Sequence, residues 1–231
     1  VSATKSALTQ ALNVTQALFP ADSYGLILWS HGTGWIPPLA SSSSAAQEVS
    51  GSAPQRTFGL DGKVELEIRD LAQAIPYKLS FMLMDACFMG GIETAYEVKD
   101  SVDYYIGSPA EILTESFPYH KIMQHIFKST PDYAAVCKEY YDYYNAKSGA
   151  ERSATVALMD CSKLAEVAEV AKRVLDQYGE SIASLDLSLL QPYFRGSSSK
   201  YFYDLKDLVD AIADASLSAE FAAALERAVP Y

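Results

Sequence analysis

The sequence predicts an α/β fold, a three-layer α/β/α sandwich built on a mainly parallel sheet. Apolar blocks of strand length recur at 24–29 (YGLILW), 79–84 (LSFMLM), 102–107 (VDYYIG) and 154–159 (ATVALM). Such runs read as strands buried on both faces. Helical stretches separate them, the alternation that builds parallel βαβ units. At 231 residues the chain can bury a sizeable core. The expected organisation is one domain over 1–231, with a flexible loop at 36–56 and a helical C-terminal segment at 180–231.

The elements follow in order. Residues 1–19 carry Leu8, Leu12 and Leu18 at near-helical spacing, and Pro20 stops the helix. The block 24–29 ends in Ser30-His31-Gly32-Thr33-Gly34. The stretch 36–55 holds Pro37-Pro38 and Ser41 to Ser44 without periodicity, as a mobile surface loop does. Asp61-Gly62 supplies the turn of a small hairpin over 56–66. A short helix at 67–75 is closed by Pro76. The second apolar strand runs into Asp85-Ala86-Cys87, after which Gly90-Gly91 opens a helix to about 100. Beyond the third strand come a turn-rich 108–118, then helices at 118–128 and 131–147. After the fourth strand Ser162 is placed to cap a helix to 178, with Glu166 in its first turns. Further helical segments are expected near 184–192, 203–214 and 217–228.

The formal net charge of −11 argues against nucleic-acid binding, which needs a basic footprint. No apolar run is long enough to span a membrane, and residues 1–20 do not read as a signal peptide. Cys87, Cys137 and Cys161 are too few for a disulfide framework, and an odd count leaves one thiol unpaired.

Ligands of open parallel sheets bind beyond the carboxyl ends of the strands. Two blocks end there in reactive residues, His31 and Cys87. If their strands are neighbours, an imidazole base stands beside a thiol nucleophile. The helix after Gly90-Gly91 is expected to lower the thiol pKa through its dipole. Gly32 lets its amide approach a substrate carbonyl, and with the Cys87 amide it would form an oxyanion hole.

The blocks 26–35 (LILWSHGTGW), 83–96 (LMDACFMGGIETAY) and 102–119 (VDYYIGSPAEILTESFPY) resemble the clostripain family of cysteine peptidases, relatives of caspases, gingipains, legumain and separase. The resemblance implies a caspase-like fold, His31 as general base, Cys87 as nucleophile and Gly32 in the oxyanion hole. It implies cleavage after Arg or Lys, with Asp85 at the floor of the specificity pocket. A strand-end carboxylate pairing with a guanidinium agrees with that role. It further implies a secreted, periplasmic or cell-surface location and protein or peptide substrates. Calcium is the one cofactor it raises, and Asp22, Asp61 and Asp103 do not form a calcium loop.

Two departures accompany the likeness. Relatives carry a strand before the histidine strand, whereas the helical residues 1–19 stand there here. A leading strand is therefore expected from another chain or from a segment outside this sequence. Relatives also often read Glu-Pro-Gly-Asp after the third strand, where this chain reads Glu111-Ile112-Leu113-Thr114-Glu115. Several members cut themselves between the histidine and the cysteine. The first basic residue after His31 is Arg56, so self-cleavage is expected there, with Lys63 as the lesser choice.

Other readings stay open. A catalytically silent module of the same fold would hold basic peptides without cutting them. A nucleotide-binding domain is weaker, because Gly32-Thr33-Gly34 is too short to cradle phosphate. His120 and His125 lack the i,i+4 spacing of helical zinc ligands and read as packing or surface residues. Cys137, Cys161 and the tyrosines of 133–144 read as core.

Overall fold

In order along the chain run α1 (Lys5–Leu18), β1 (Gly25–Trp29), β2 (Thr57–Asp61), β3 (Val64–Glu67), α2 (Ile68–Ala74) and β4 (Leu79–Asp85). Then follow α3 (Ile92–Val98), β5 (Val102–Gly107), α4 (Tyr119–Ile126), α5 (Tyr133–Asn145) and β6 (Ala157–Asp160). The chain finishes with α6 (Leu164–Tyr178), α7 (Leu205–Ile212) and α8 (Ala215–Ala228). This is a computed structural model, which describes residues 3–35, 57–61, 64–194 and 200–231. The expected flexible loop and Arg56 lie outside the described residues, as do Gly62 and Lys63 of the hairpin turn.

The four apolar blocks form one sheet in the order β1-β4-β5-β6. β4 pairs in parallel with β1 and β5, and β6 closes the sheet antiparallel to β5. The sheet is thus mostly parallel, as its unbroken apolar strands predict. Alternate residues serve two cores. Met82, Met84, Tyr105 and Met159 join Leu71, Ala95, Val167 and Phe221 of the α2, α3, α6 and α8 layer. Phe81, Leu83, Ile106 and Leu158 meet Phe117, Ile122, Val136 and Tyr140 on the α4 and α5 side. Each fully buried large apolar side chain is worth about 1.5–3 kcal/mol. Tyr133, Tyr140 and Tyr144 are buried in the second core, so the tyrosine-rich helix is a packing face.

Three local expectations are corrected. Ser162 does not cap α6: the Asp160 side chain accepts from the Ser162 amide, a 3₁₀ turn over Cys161–Lys163 follows, and α6 starts at Leu164. A carboxylate two residues earlier reaches that amide in an Asx-type turn, so the serine donates where it was expected to accept. The fourth strand covers Ala157–Asp160 only, leaving Ala154 and Val156 packed on the core outside it. The segment expected near 184–192 is two short 3₁₀ turns, Gly179–Ser184 and Leu187–Leu189.

Candidate active site

β1 and β4 pair with Trp29 opposite Asp85, so both strands end level. The two chains leaving them carry His31 and Cys87 at one edge of the sheet. Register partners share a sheet face, which puts the side chains of Trp29 and Asp85 on the α4 and α5 side.

The histidine loop is braced from outside. The Gly59 amide donates to the His31 carbonyl at 3.0 Å, and Gly32 forms a β-bridge with Phe58 of the hairpin. His31 itself is exposed. Gly32 is packed so closely that an added Cβ would lie 2.7 Å from the Cys87 carbonyl oxygen. No larger residue fits without moving one loop off the other.

The cysteine turn hangs on β5 and the loop after it. The Phe88 amide donates to the Ala110 carbonyl at 3.0 Å and the Gly90 amide to the Ser108 carbonyl at 2.8 Å. From the opposite side, the buried Tyr105 hydroxyl donates to the Met89 carbonyl at 2.6 Å. Phe88 has φ 62° and Ser116 has φ 60°, the two non-glycine residues with positive φ among those described. Both border this site, where stored strain tends to collect.

A third segment joins the two loops. The Phe202 ring stacks on Phe88 at 4.7 Å and meets Trp35 at 5.6 Å. It also lies against Gly34, whose φ is 56° and where an added Cβ would come within 2.9 Å of the ring. One aromatic side chain from the C-terminal segment therefore touches both loops.

Asp85 is 2% exposed. Its Oδ2 accepts the Tyr119 hydroxyl at 2.6 Å, while Oδ1 is buried without a hydrogen-bond partner. Burial pushes its carboxyl above the ordinary range, an effect that Tyr119, the Phe117 amide and Ser116 partly oppose. The Trp29 indole donates to Ser116 Oγ at 3.0 Å, yet Trp29 remains 72% exposed. Trp29 and Ser116 thus form the rim above a buried carboxylate.

Cys87 is half-buried. Its Sγ accepts from the Ile112 amide at 3.4 Å and faces the Ile112 carbonyl at 3.9 Å. Burial pushes the thiol up; the Ile112 amide opposes this, and the charges of Glu111 and Asp85 raise it further. The expected lowering by the following helix is therefore overturned. α3 has seven residues and begins at Ile92, five positions past the thiol, whereas burial, the largest effect, acts on the sulfur itself and the charges of Glu111 and Asp85 add to it. Cys137 and Cys161 are buried and pushed up to about 12, each mainly by burial.

His125 sits 3.4 Å from Glu139, and His120 lies edge-on to the Tyr143 ring, so neither reaches this site. Among the described residues no three His, Cys, Asp or Glu side chains gather to hold a metal ion. Sequence reasoning missed Tyr119, Ser116, Trp29 and Phe202. The first three lie in the resembling blocks, while Phe202 sits in an unremarkable stretch and is visible only through packing.

The model of the clostripain family matches residues 2–228. The chain belongs to the clostripain family. Its structure is similar to that of an inactive zymogen C11 protease from Parabacteroides distasonis, at 33% identity and TM-score 0.81 over 100% of this chain and 61% of that one. It is also similar to a secreted C11 cysteine protease from Bacteroides thetaiotaomicron, at 33% identity and TM-score 0.83 over 99% and 64%. A clostripain from the same species, in complex with the peptide inhibitor BTN-VLTK-AOMK, matches at 34% identity and TM-score 0.67 over 75% and 77%. This clostripain-family chain thus spans 61–64% of the length of the first two relatives. No curated protein matches it.

Proposed function

We propose that the protein is a cysteine endopeptidase that hydrolyses peptide bonds after Arg or Lys. The observation that supports this reading is the parallel pairing of β1 and β4 with Trp29 opposite Asp85, so that the chains leading to His31 and Cys87 leave neighbouring strand ends at one edge of the sheet. His31 takes the proton from Cys87 Sγ, and the thiolate attacks the scissile carbonyl. The Gly32 and Cys87 amides hold the developing oxyanion. His31 then returns its proton to the leaving amine, and water releases the acyl group from sulfur.

Asp85 is the specificity residue, because a buried carboxylate with one unpartnered oxygen suits a guanidinium or ammonium. The family relative with the inhibitor reading VLTK supports a basic residue there. Self-cleavage after Arg56 belongs to the same reading, since no Lys or Arg stands between His31 and that position. β1 is the sheet's edge among the described residues, where a further strand would pair. Secretion follows by likeness to the relative described as secreted. Among the described residues, no helix is long and apolar enough to cross a membrane.

Hydrolysis of an arginyl or lysyl amide substrate tests this directly. Cys87→Ala and His31→Ala should each lower the rate by about a thousandfold or more with the fold retained. Retained hydrolysis in Cys87→Ala would refute the assignment. The raised thiol, engaged by Ile112, favours a second reading: a silent module that holds basic peptides uncut. Binding of such a peptide with no turnover by the wild-type chain would select it.

A further inference from the structure

Trp29 is a large apolar side chain left 72% exposed, and it stands beside Asp85 in the sheet. The two are register partners on neighbouring strands, which lie about 4.8 Å apart in the pairing direction. Both side chains leave the sheet on the α4 and α5 face. The preceding pair on that face, Ile27 and Leu83, belongs to the core on that side.

One short segment grips both residues. The Tyr119 hydroxyl donates to Asp85 Oδ2 at 2.6 Å, and the Trp29 indole N–H donates to Ser116 Oγ at 3.0 Å. Ser116 is itself fixed. Its φ is 60°, its amide donates to the Leu113 carbonyl at 2.8 Å, and its carbonyl accepts the buried Tyr144 hydroxyl at 2.8 Å. The indole is therefore tethered in an exposed position, which forgoes the stabilisation its burial would bring. Beside it, Asp85 is buried with Oδ1 unpartnered, a cost that an arriving cation relieves. A held aromatic face next to an unsatisfied carboxylate suits a guanidinium.

We propose that Trp29 is a specificity-determining residue, whose indole face stacks on the guanidinium of a substrate arginine while Asp85 Oδ1 accepts its N–H groups. This rests on the peptidase reading above, with Asp85 as the specificity residue, and adds a preference to it. A guanidinium is flat and carries its five donors in its own plane. Laid on the indole, it keeps those donors free for the carboxylate beside the ring. An ammonium can meet the carboxylate but has no plane to stack. Because Tyr119 occupies Oδ2, Asp85 offers one oxygen, and the ring supplies a contact that a two-oxygen fork would otherwise give. The site therefore prefers Arg to Lys.

The test compares matched arginyl and lysyl amides, and adds agmatine, which carries a guanidinium and no amide bond to cleave. The wild type should favour the arginyl amide in kcat/KM. Trp29→Leu should lower kcat/KM for the arginyl amide about three- to thirtyfold, through KM, and for the lysyl amide much less. Trp29→Phe keeps a ring face and should restore most of the preference. The chain has two tryptophans, Trp29 and Trp35. Agmatine should saturably change the tryptophan emission of the wild type and leave that of Trp29→Leu unaffected. An arginine-to-lysine ratio equal in the wild type and Trp29→Leu, or a loss confined to kcat, overturns the proposal and leaves the peptidase reading standing. A wild type that hydrolyses neither amide overturns the peptidase reading. A wild type whose emission ignores agmatine overturns the Trp29 site, with or without hydrolysis.

Discussion

Asp85 carries a cost that its neighbours offset only in part. Tyr119 satisfies one oxygen, and the other is buried bare. Because burial raises its carboxyl pKa in the folded state, protonation favours the native chain. The penalty is absent below the ordinary carboxylate range and appears as pH rises through the raised folded value. Asp85→Asn should therefore stabilise the protein near neutral pH by about 1–2 kcal/mol, a gap closing as pH falls toward about 4. Urea unfolding of both proteins across pH measures this. The same substitution should lower kcat/KM for an arginyl substrate by about a hundredfold or more, since a neutral amide cannot pair with the cation. Stability gained with activity lost is the signature of a residue kept for function.

At the scale of elements, the site depends on what grips the two strand-end loops. Tyr105 holds the cysteine turn from one core through the Met89 carbonyl. Tyr105→Phe leaves that buried carbonyl unpaired and should cost about 1–3 kcal/mol in unfolding free energy. Phe202 bridges Phe88 and Trp35 from the far end of the chain. Phe202→Leu should keep the fold yet lower kcat about tenfold or more, with KM little changed, as the loops lose their mutual alignment. Phe202→Tyr should restore the rate, and steady-state kinetics beside a thermal melt separate this from instability.

These elements also mark how far the sequence could be read. The strands were legible because unbroken apolar blocks have few alternatives, and His31 and Cys87 stood out as polar residues at their ends. The cap of α6 was misread because Asp160 and Ser162 are both good caps and only the local turn chooses between them. The thiol's raised pKa was hidden because it comes mainly from burial, and the loop that covers Cys87 and brings Ile112 to its sulfur lies twenty-five residues further along the chain. Phe202 was hidden for the same reason over a longer span.

For the whole molecule, the charge of −11 adds a long-range field to the specific contacts. Such a field draws basic substrates inward and is screened by salt. Raising ionic strength from about 0.02 to about 0.5 M should reduce kcat/KM for a basic peptide by about threefold or more. An uncharged probe of Cys87 should show little change. The fold supplies the rest: a mostly parallel sheet brings two distant residues to neighbouring strand ends, and a buried carboxylate waits beside them. The most direct measurement is intact-mass and peptide mapping after exposure to a thiol-reactive peptide ending in Lys or Arg. The account predicts one label per chain, on Cys87, lost in Cys87→Ala and strongly reduced in Asp85→Asn. An unlabelled wild-type protein, or a label on Cys137 or Cys161, would contradict it.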